Sequence, residues 1–371
     1  MSDIVQQFIF LFFAFYGFLK ILNFYRKKKK INFYEVEEIS SLISIIIPCR
    51  NEEKRLKTLL SSLQEQTYKN YEVIVVDDNS TDNTIALAKE YKARVFEVKD
   101  FYKDEEGKSI ACYVGVINAK GDYLLFLDAD VFLKKNALEY VTKHFPTNSI
   151  LTIQPYHKMY HFYEQFSLFS NLIVILGLDA GNFKNSYETK RGFFGPFMMI
   201  KKENYFRVGE HLKIKGTIIE DMALGLLFLK NGIKIYTIPH EMLIFFRMYP
   251  EGFLSLFNGW MKNMVLGARR SGILTILTVT GIVASSFIIP ISLIKMCIYN
   301  NFYGSIFYAV LYFIFSIMLY ITSSKTGNFK FLSCLLFPVF ALFFVIVFLS
   351  SLFVKIFNFS INWRGRKVKV K

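Results

Sequence analysis

Four stretches of this chain, 4–24, 273–294, 302–322 and 331–354, carry almost no charge, and their placement limits what the rest can be. As helices, each is long enough to cross a hydrocarbon core of ~30 Å. The first holds one charged residue, Lys20, and the other three hold none. The first also lacks a basic leading region and a small-residue cleavage site, and Arg26-Lys-Lys-Lys-Lys30 follows it. That pattern predicts a retained anchor over 1–25, not a secretory signal. By the positive-inside rule the chain after it stays in the cytoplasm of a bacterial cell, with the protein multi-pass in the cell membrane. Residues 31–270 then form one cytoplasmic domain, 271–356 a set of membrane helices and 357–371 a basic tail. Three full C-terminal crossings would put the tail outside, against the same rule. An even number is therefore expected, with 331–354, which contains Pro338, interfacial or re-entrant. The apolar stretch 166–178 reads as a further interfacial segment suited to carrying an apolar acceptor.

The formal charge of +15 raises the question of nucleic acid. Much of the Lys and Arg lies beside the apolar segments, at 26–30 and 364–371, where anionic lipid headgroups are the simpler partner. No RNA- or DNA-binding motif accompanies the charge, so nucleic acid is excluded as a partner. Cys49, Cys112, Cys297 and Cys334 have neither metal nor disulfide spacing and read as reduced and structural.

Inside 31–270 strands alternate with helices. Leu42-Ile-Ser-Ile-Ile-Ile-Pro48 and Tyr71-Glu-Val-Ile-Val-Val-Asp77 are β-branched runs that end in turn residues. Helices are expected over 52–66 and 108–119, with strands over 93–98 and 123–127. This alternation predicts an α/β fold with a mostly parallel, doubly wound sheet. Ligands of such sheets bind beyond the carboxyl ends of the strands. Pro48-Cys-Arg-Asn51, Asp77-Asp78 and Asp128-Ala-Asp130 all stand at such ends and should line one crevice.

Two carboxylates one residue apart repel unless a cation or donors compensate them, and hard oxygen ligands suit Mg²⁺ or Mn²⁺ shared with a phosphate. Asp128 and Asp130 fit that reading, although Asp-x-Asp also closes ordinary turns. Gly107-Lys-Ser109 falls short of a Walker A motif, because Tyr102 stands where the first glycine is needed. Lys108 at a helix start can still meet a diphosphate, or it is a solvated lysine of a charged loop. Asp78 and the pair Glu220-Asp221 likewise admit a plain helix-capping role.

Ile45-Ile-Ile-Pro-Cys-Arg-Asn-Glu-Glu53, Val75-Val-Asp-Asp-Asn-Ser-Thr-Asp82, Gly107-Lys-Ser109, Phe126-Leu-Asp-Ala-Asp130 and Ile219-Glu-Asp221 follow one another in the order of family 2 glycosyltransferases. The resemblance covers about 40–270 and implies a GT-A fold. Within the family the chain is most similar to membrane enzymes that glycosylate a C30 carotenoid acid. The similar stretches there are 107–113, Gln154-Pro-Tyr-His157, Phe194-Gly-Pro196, Phe246-Arg-Met-Tyr249, Glu251-Gly-Phe253 and Trp363-Arg-Gly-Arg366.

What the resemblance implies is a hexose, glucose above all, moved from a UDP-sugar to an apolar lipid or carotenoid acceptor with inversion. Pro48, Arg50, Glu52 and Asp78 would hold the nucleotide, Lys108 the diphosphate, and Asp128 the ribose and metal. Asp130 would ligate the metal, with His211 assisting, and Asp221 would be the base, with Glu220 in reserve. Arg247, Trp260 and His157 are the acceptor-side candidates. Arg247 also reads as a lipid-facing arginine, and Trp260, preceded by Gly259 where relatives carry arginine, also as an interfacial anchor. His157 and His161 are spaced as in metal sites but lack a third ligand. Transfer to another lipid hydroxyl or polyprenyl phosphate, a processive synthase, and a non-catalytic scaffold are the rival readings.

Overall fold

The computed structural model describes residues 2–26, 36–103, 105–181, 187–208, 210–215, 220–357, 359–363 and 366–369. The basic run at 27–30, Ile219 and positions 364, 365, 370 and 371 of the tail lie outside the described residues. The chain divides into two compact units, each discontinuous in sequence. One comprises Lys27–Tyr156 and Tyr187–Arg247; the other comprises Met1–Arg26, His157–Ser186 and Met248–Lys371.

The first unit is built on a seven-stranded sheet. Its spatial order is Lys234–Pro239, Ser149–Gln154, Phe197–Lys201, Tyr123–Leu127, Ile43–Cys49, Tyr71–Asp77 and Arg94–Glu97. Ile43–Cys49 pairs parallel with both Tyr71–Asp77 and Tyr123–Leu127, and Phe197–Lys201 runs antiparallel to both its neighbours. The expected mostly parallel α/β sheet is therefore present, with one reversed strand. Strands buried on both faces need continuous apolar runs, and Tyr123-Leu-Leu-Phe-Leu127 is buried throughout.

Helix Lys108–Ile117 packs on the sheet through Ile110, Val114 and Gly115. A Cβ on Gly115 would stand 2.4 Å from Ile46 Cγ2, so only glycine lets helix and strand approach this closely. Tyr205, Phe228 and Met198 complete the core on this side.

Among the described residues, the second unit contains four helices long and apolar enough to cross a membrane: Ile4–Tyr25, Ile273–Ile298, Phe302–Ser323 and Phe337–Ile356. Pro338 sits in the first turn of the last of these, where a missing N–H costs no helical bond. The first two helices touch through small residues; a Cβ on Gly17 would meet Thr278 Cγ2 at 2.6 Å. Lys20 is 6% exposed and forms an ion pair with Asp179. Asn23 Nδ2 donates to Gly181 O at 3.0 Å, tying the same helix to the same turn. The stretch expected at 166–178 forms helix Leu168–Gly177, largely buried within this unit.

Candidate active site

Register brings the strand ends together. Cys49 lies level with Asp77, and Ile46 lies level with Phe126, so the ends of three strands converge. The reversed strand enters from the same side. Phe197 pairs with Leu127, and Asp128 N donates to Pro196 O at 3.2 Å. Phe194-Gly195-Pro196 is thereby laid alongside Asp128. Phe246 pairs with Val131, and Arg247 N donates to Asp130 O at 3.1 Å, so Arg247 stands beside the second aspartate.

At the nucleotide end, Asp78 is buried and its Oδ1 accepts from Gly107 N at 3.0 Å. Arg50 Nη1 donates to Asp78 O at 3.1 Å and to Glu106 Oε2 at 2.7 Å. Glu52, 2% exposed, pairs with Arg55 Nε at 3.0 Å, and its backbone N donates to Thr84 Oγ1. Pro48 lies opposite Val76 in the parallel ladder. Asp77 Oδ2 accepts from Ser80 N at 3.0 Å, which closes the turn after the second strand.

The centre of the site is Lys108. Its Nζ lies 2.6 Å from Asp128 Oδ1, and both side chains are about one-third exposed (35% and 30%). Burial alone would pull this lysine down. Asp128 first, then Asp221 and Glu220, outweigh that and hold its ammonium well above the usual lysine value. Lys108 is therefore a fixed cation with three carboxylates around it.

The two neighbouring acids are engaged differently. Glu220 Oε1 accepts from Ser109 Oγ at 2.8 Å and from Ser109 N at 3.2 Å. Asp221 lies against Gly195, where a Cβ would meet its Oδ2 at 2.1 Å. Ser109 and Gly195 lie within the motifs Gly107-Lys-Ser109 and Phe194-Gly-Pro196, but neither was assigned a role from sequence. A glycine's value here is empty space, which only the position of Asp221 reveals.

His211 is 5% exposed, and its Nδ1 lies 2.8 Å from Tyr205 Oη. Its ring centroid is 5.0 Å from that of Phe126. Burial first, and the Lys108 charge second, push it down to about 3, so it is neutral. Trp260 and His157 belong to the helical unit. Trp260 Nε1 donates to Ser167 Oγ at 3.0 Å, and its ring packs on Tyr249. A Cβ on Gly259 would meet the Tyr249 ring at 2.1 Å, which accounts for glycine before this tryptophan. His157 is fully buried, with Nδ1 2.8 Å from Asn171 Nδ2.

Among the described residues no three His, Cys, Asp or Glu side chains gather into a metal cage. Asp128 and Asp130 supply two carboxylates beside a lysine. That donor set fits Mg²⁺ or Mn²⁺, which bind through one or two carboxylates and keep their other places for water and phosphate.

Comparison with known proteins agrees with this geometry. Residues 44–206 match the profile described as Glycosyl transferase family 2. The chain is 32% identical over 355 residues to a 4,4′-diaponeurosporenoate glycosyltransferase of Staphylococcus aureus, covering 93% of this chain and 91% of that protein. Its fold is similar to that of a mannosyltransferase from Pyrobaculum calidifontis in complex with GDP-Man and Mn²⁺. The TM-score is 0.56 and the identity 16%, over 93% of this chain and 98% of the other.

Proposed function

The chain belongs to glycosyl transferase family 2, a glycosyltransferase with a GT-A fold, and on that premise we propose a donor, an acceptor and a division of labour. The donor is a UDP-sugar, with UDP-glucose the first to test, and the acceptor is the carboxylate of a C30 carotenoid acid. The observation that carries this reading is the convergence of Asp128, Glu220 and Asp221 on Lys108 at the carboxyl ends of the strands. The name of the Staphylococcus aureus relative supplies the acceptor class.

In this reading Asp78 accepts from the uracil imide N–H, which cytosine lacks, and Arg50 holds the loop bearing Glu106 over it. Lys108 turns from Asp128 to the diphosphate. Asp128 and Asp130 would hold Mg²⁺ or Mn²⁺, which would supply positive charge to offset that of a leaving UDP. An acceptor oxygen attacks the anomeric carbon as its bond to the phosphate oxygen breaks, inverting that centre. A carboxylic acid with a pKa near ~4.5 is already ionised at neutral pH and brings no proton to remove. An alcohol does, and Asp221 receives it. Four described helices of membrane length support an enzyme of the bacterial cytoplasmic membrane that draws its apolar acceptor from the bilayer, with the catalytic residues on the cytoplasmic side.

The test uses membranes containing the full chain, radiolabelled UDP-sugars and a panel of apolar acids and alcohols. Label in an alkali-labile, single-sugar lipid is the expected product. Polymer would identify a processive synthase instead, and binding without turnover a scaffold.

A further inference from the structure

Helix Lys108–Ile117 begins without a cap of its own. Its N-cap is Gly107, at φ 123° and ψ 162°, a conformation suited to glycine, which has no side chain to cap the helix. Orphan N–H groups at a helix start need acceptors. Here they come from distant parts of the chain. Asp78 Oδ1 takes Gly107 N at 3.0 Å, and Glu220 Oε1 takes both Ser109 N and Ser109 Oγ. Glu220 is itself the first residue of helix Glu220–Lys230, where an acid would ordinarily serve its own helix. Its Oε1 instead spans 111 positions to reach the residue next to Lys108.

We propose that Glu220 is a positioning residue: its carboxylate clamps the start of helix Lys108–Ile117 so that Lys108 stays aimed at Asp128 and the diphosphate. The assignment rests on the nucleotide-sugar reading above and goes beyond it by separating the two acids. Oε1 of Glu220 is committed to Ser109, whereas Asp221, set in the space left by Gly195, is the acid that meets an acceptor proton. A clamp needs only an acceptor atom at the Oε1 position. A base needs a carboxylate. Glutamine therefore distinguishes the two roles.

The experiment uses the full-length protein in detergent, with Mn²⁺-UDP binding measured by titration calorimetry and the donor KM and kcat measured separately. Glu220→Ala should weaken Mn²⁺-UDP and raise the donor KM by about 10- to 100-fold, the range for losing hydrogen bonds to a charged group. Glu220→Gln should return both to within about threefold of wild type, because its amide oxygen accepts from the same donors. Ser109→Ala should shift the donor KM in the same direction by less, and adding it to Glu220→Ala should cost nothing further. Should Glu220→Ala fail to fold, Glu220→Gln and Ser109→Ala still decide the matter. A Glu220→Gln variant that keeps its Mn²⁺-UDP affinity but loses kcat would overturn the clamp and make Glu220 the base, leaving the donor reading intact. Wild-type protein that binds no Mn²⁺-UDP would overturn the donor reading and the clamp with it.

Discussion

Gly195→Ala is the most informative single change outside the charged groups. The new Cβ would stand 2.1 Å from Asp221 Oδ2 and 2.2 Å from its Cγ. Ordinary contact begins at 3.4 Å, so the carboxylate must retreat by roughly 1.3 Å. The clashing atoms are the end of a flexible, half-buried side chain, so the fold can yield cheaply while the carboxylate leaves its place. Misplacing a catalytic group by about 1 Å costs on the order of 10²-fold, near ~2.7 kcal/mol in the barrier. Initial rates with one donor and two acceptors read the effect. Transfer to an alcohol should fall about 10²-fold, whereas transfer to an acid should fall by less than about tenfold, because an ionised acid needs no base. Combined with Asp221→Asn, Gly195→Ala should add nothing for the alcohol. Equal losses with both acceptors, or full additivity with Asp221→Asn, would refute the link between this glycine and the base.

Three further outcomes are expected. Asp221→Asn alone should lower alcohol transfer by about 10²- to 10⁴-fold and only dent acid transfer, checked by the same paired rates. His211, buried and pushed down to about 3, is neutral when folded, whereas the unfolded chain takes up its proton near ~6.5. Its contribution is therefore complete above ~6.5 and is lost as pH falls toward 3, at up to about 1.4 kcal/mol per pH unit. Unfolding midpoints between pH 4 and 7 (about that window) should show a shallower slope for His211→Gln than for wild type. In the helical unit, Lys20→Met should destabilise the protein in detergent by about 3 kcal/mol by leaving Asp179 unpaired, and Lys20→Met with Asp179→Asn, a residue that tolerates the left-handed backbone there (φ 59°), should recover most of the loss.

The parallel half of the sheet was legible because its strands are short β-branched or aromatic runs bounded by turn residues. Tyr71–Asp77 and Tyr123–Leu127 fall where the pattern predicts them, and helix Glu53–Gln64 lies within its expected 52–66. The reversed strand was not read. Phe197-Met-Met-Ile-Lys201 has one β-branched residue, and its place beside Tyr123–Leu127 depends on pairing with a strand some seventy positions earlier (about that separation). Of the site, the acids were legible because carboxylates at strand ends are visible in one dimension. What each acid touches was not. Glu220 on Ser109 and Asp221 over Gly195 are contacts between segments far apart in the chain, and adjacent letters gave no means of telling the two acids apart. Trp260 was legible as an aromatic near the membrane helices, but its bond to Ser167 joins segments 93 positions apart.

Metal-assisted transfer from a nucleotide sugar to an apolar acid is the central step of the proposed function. Its most direct test is the formation of glucosyl ester from UDP-glucose and a C30 carotenoid acid by purified full-length protein, with and without EDTA. Ester that forms with Mn²⁺, disappears with the chelator and is not made by Asp130→Ala is the predicted result. Ester formed equally well in EDTA, or by Asp130→Ala, would contradict it.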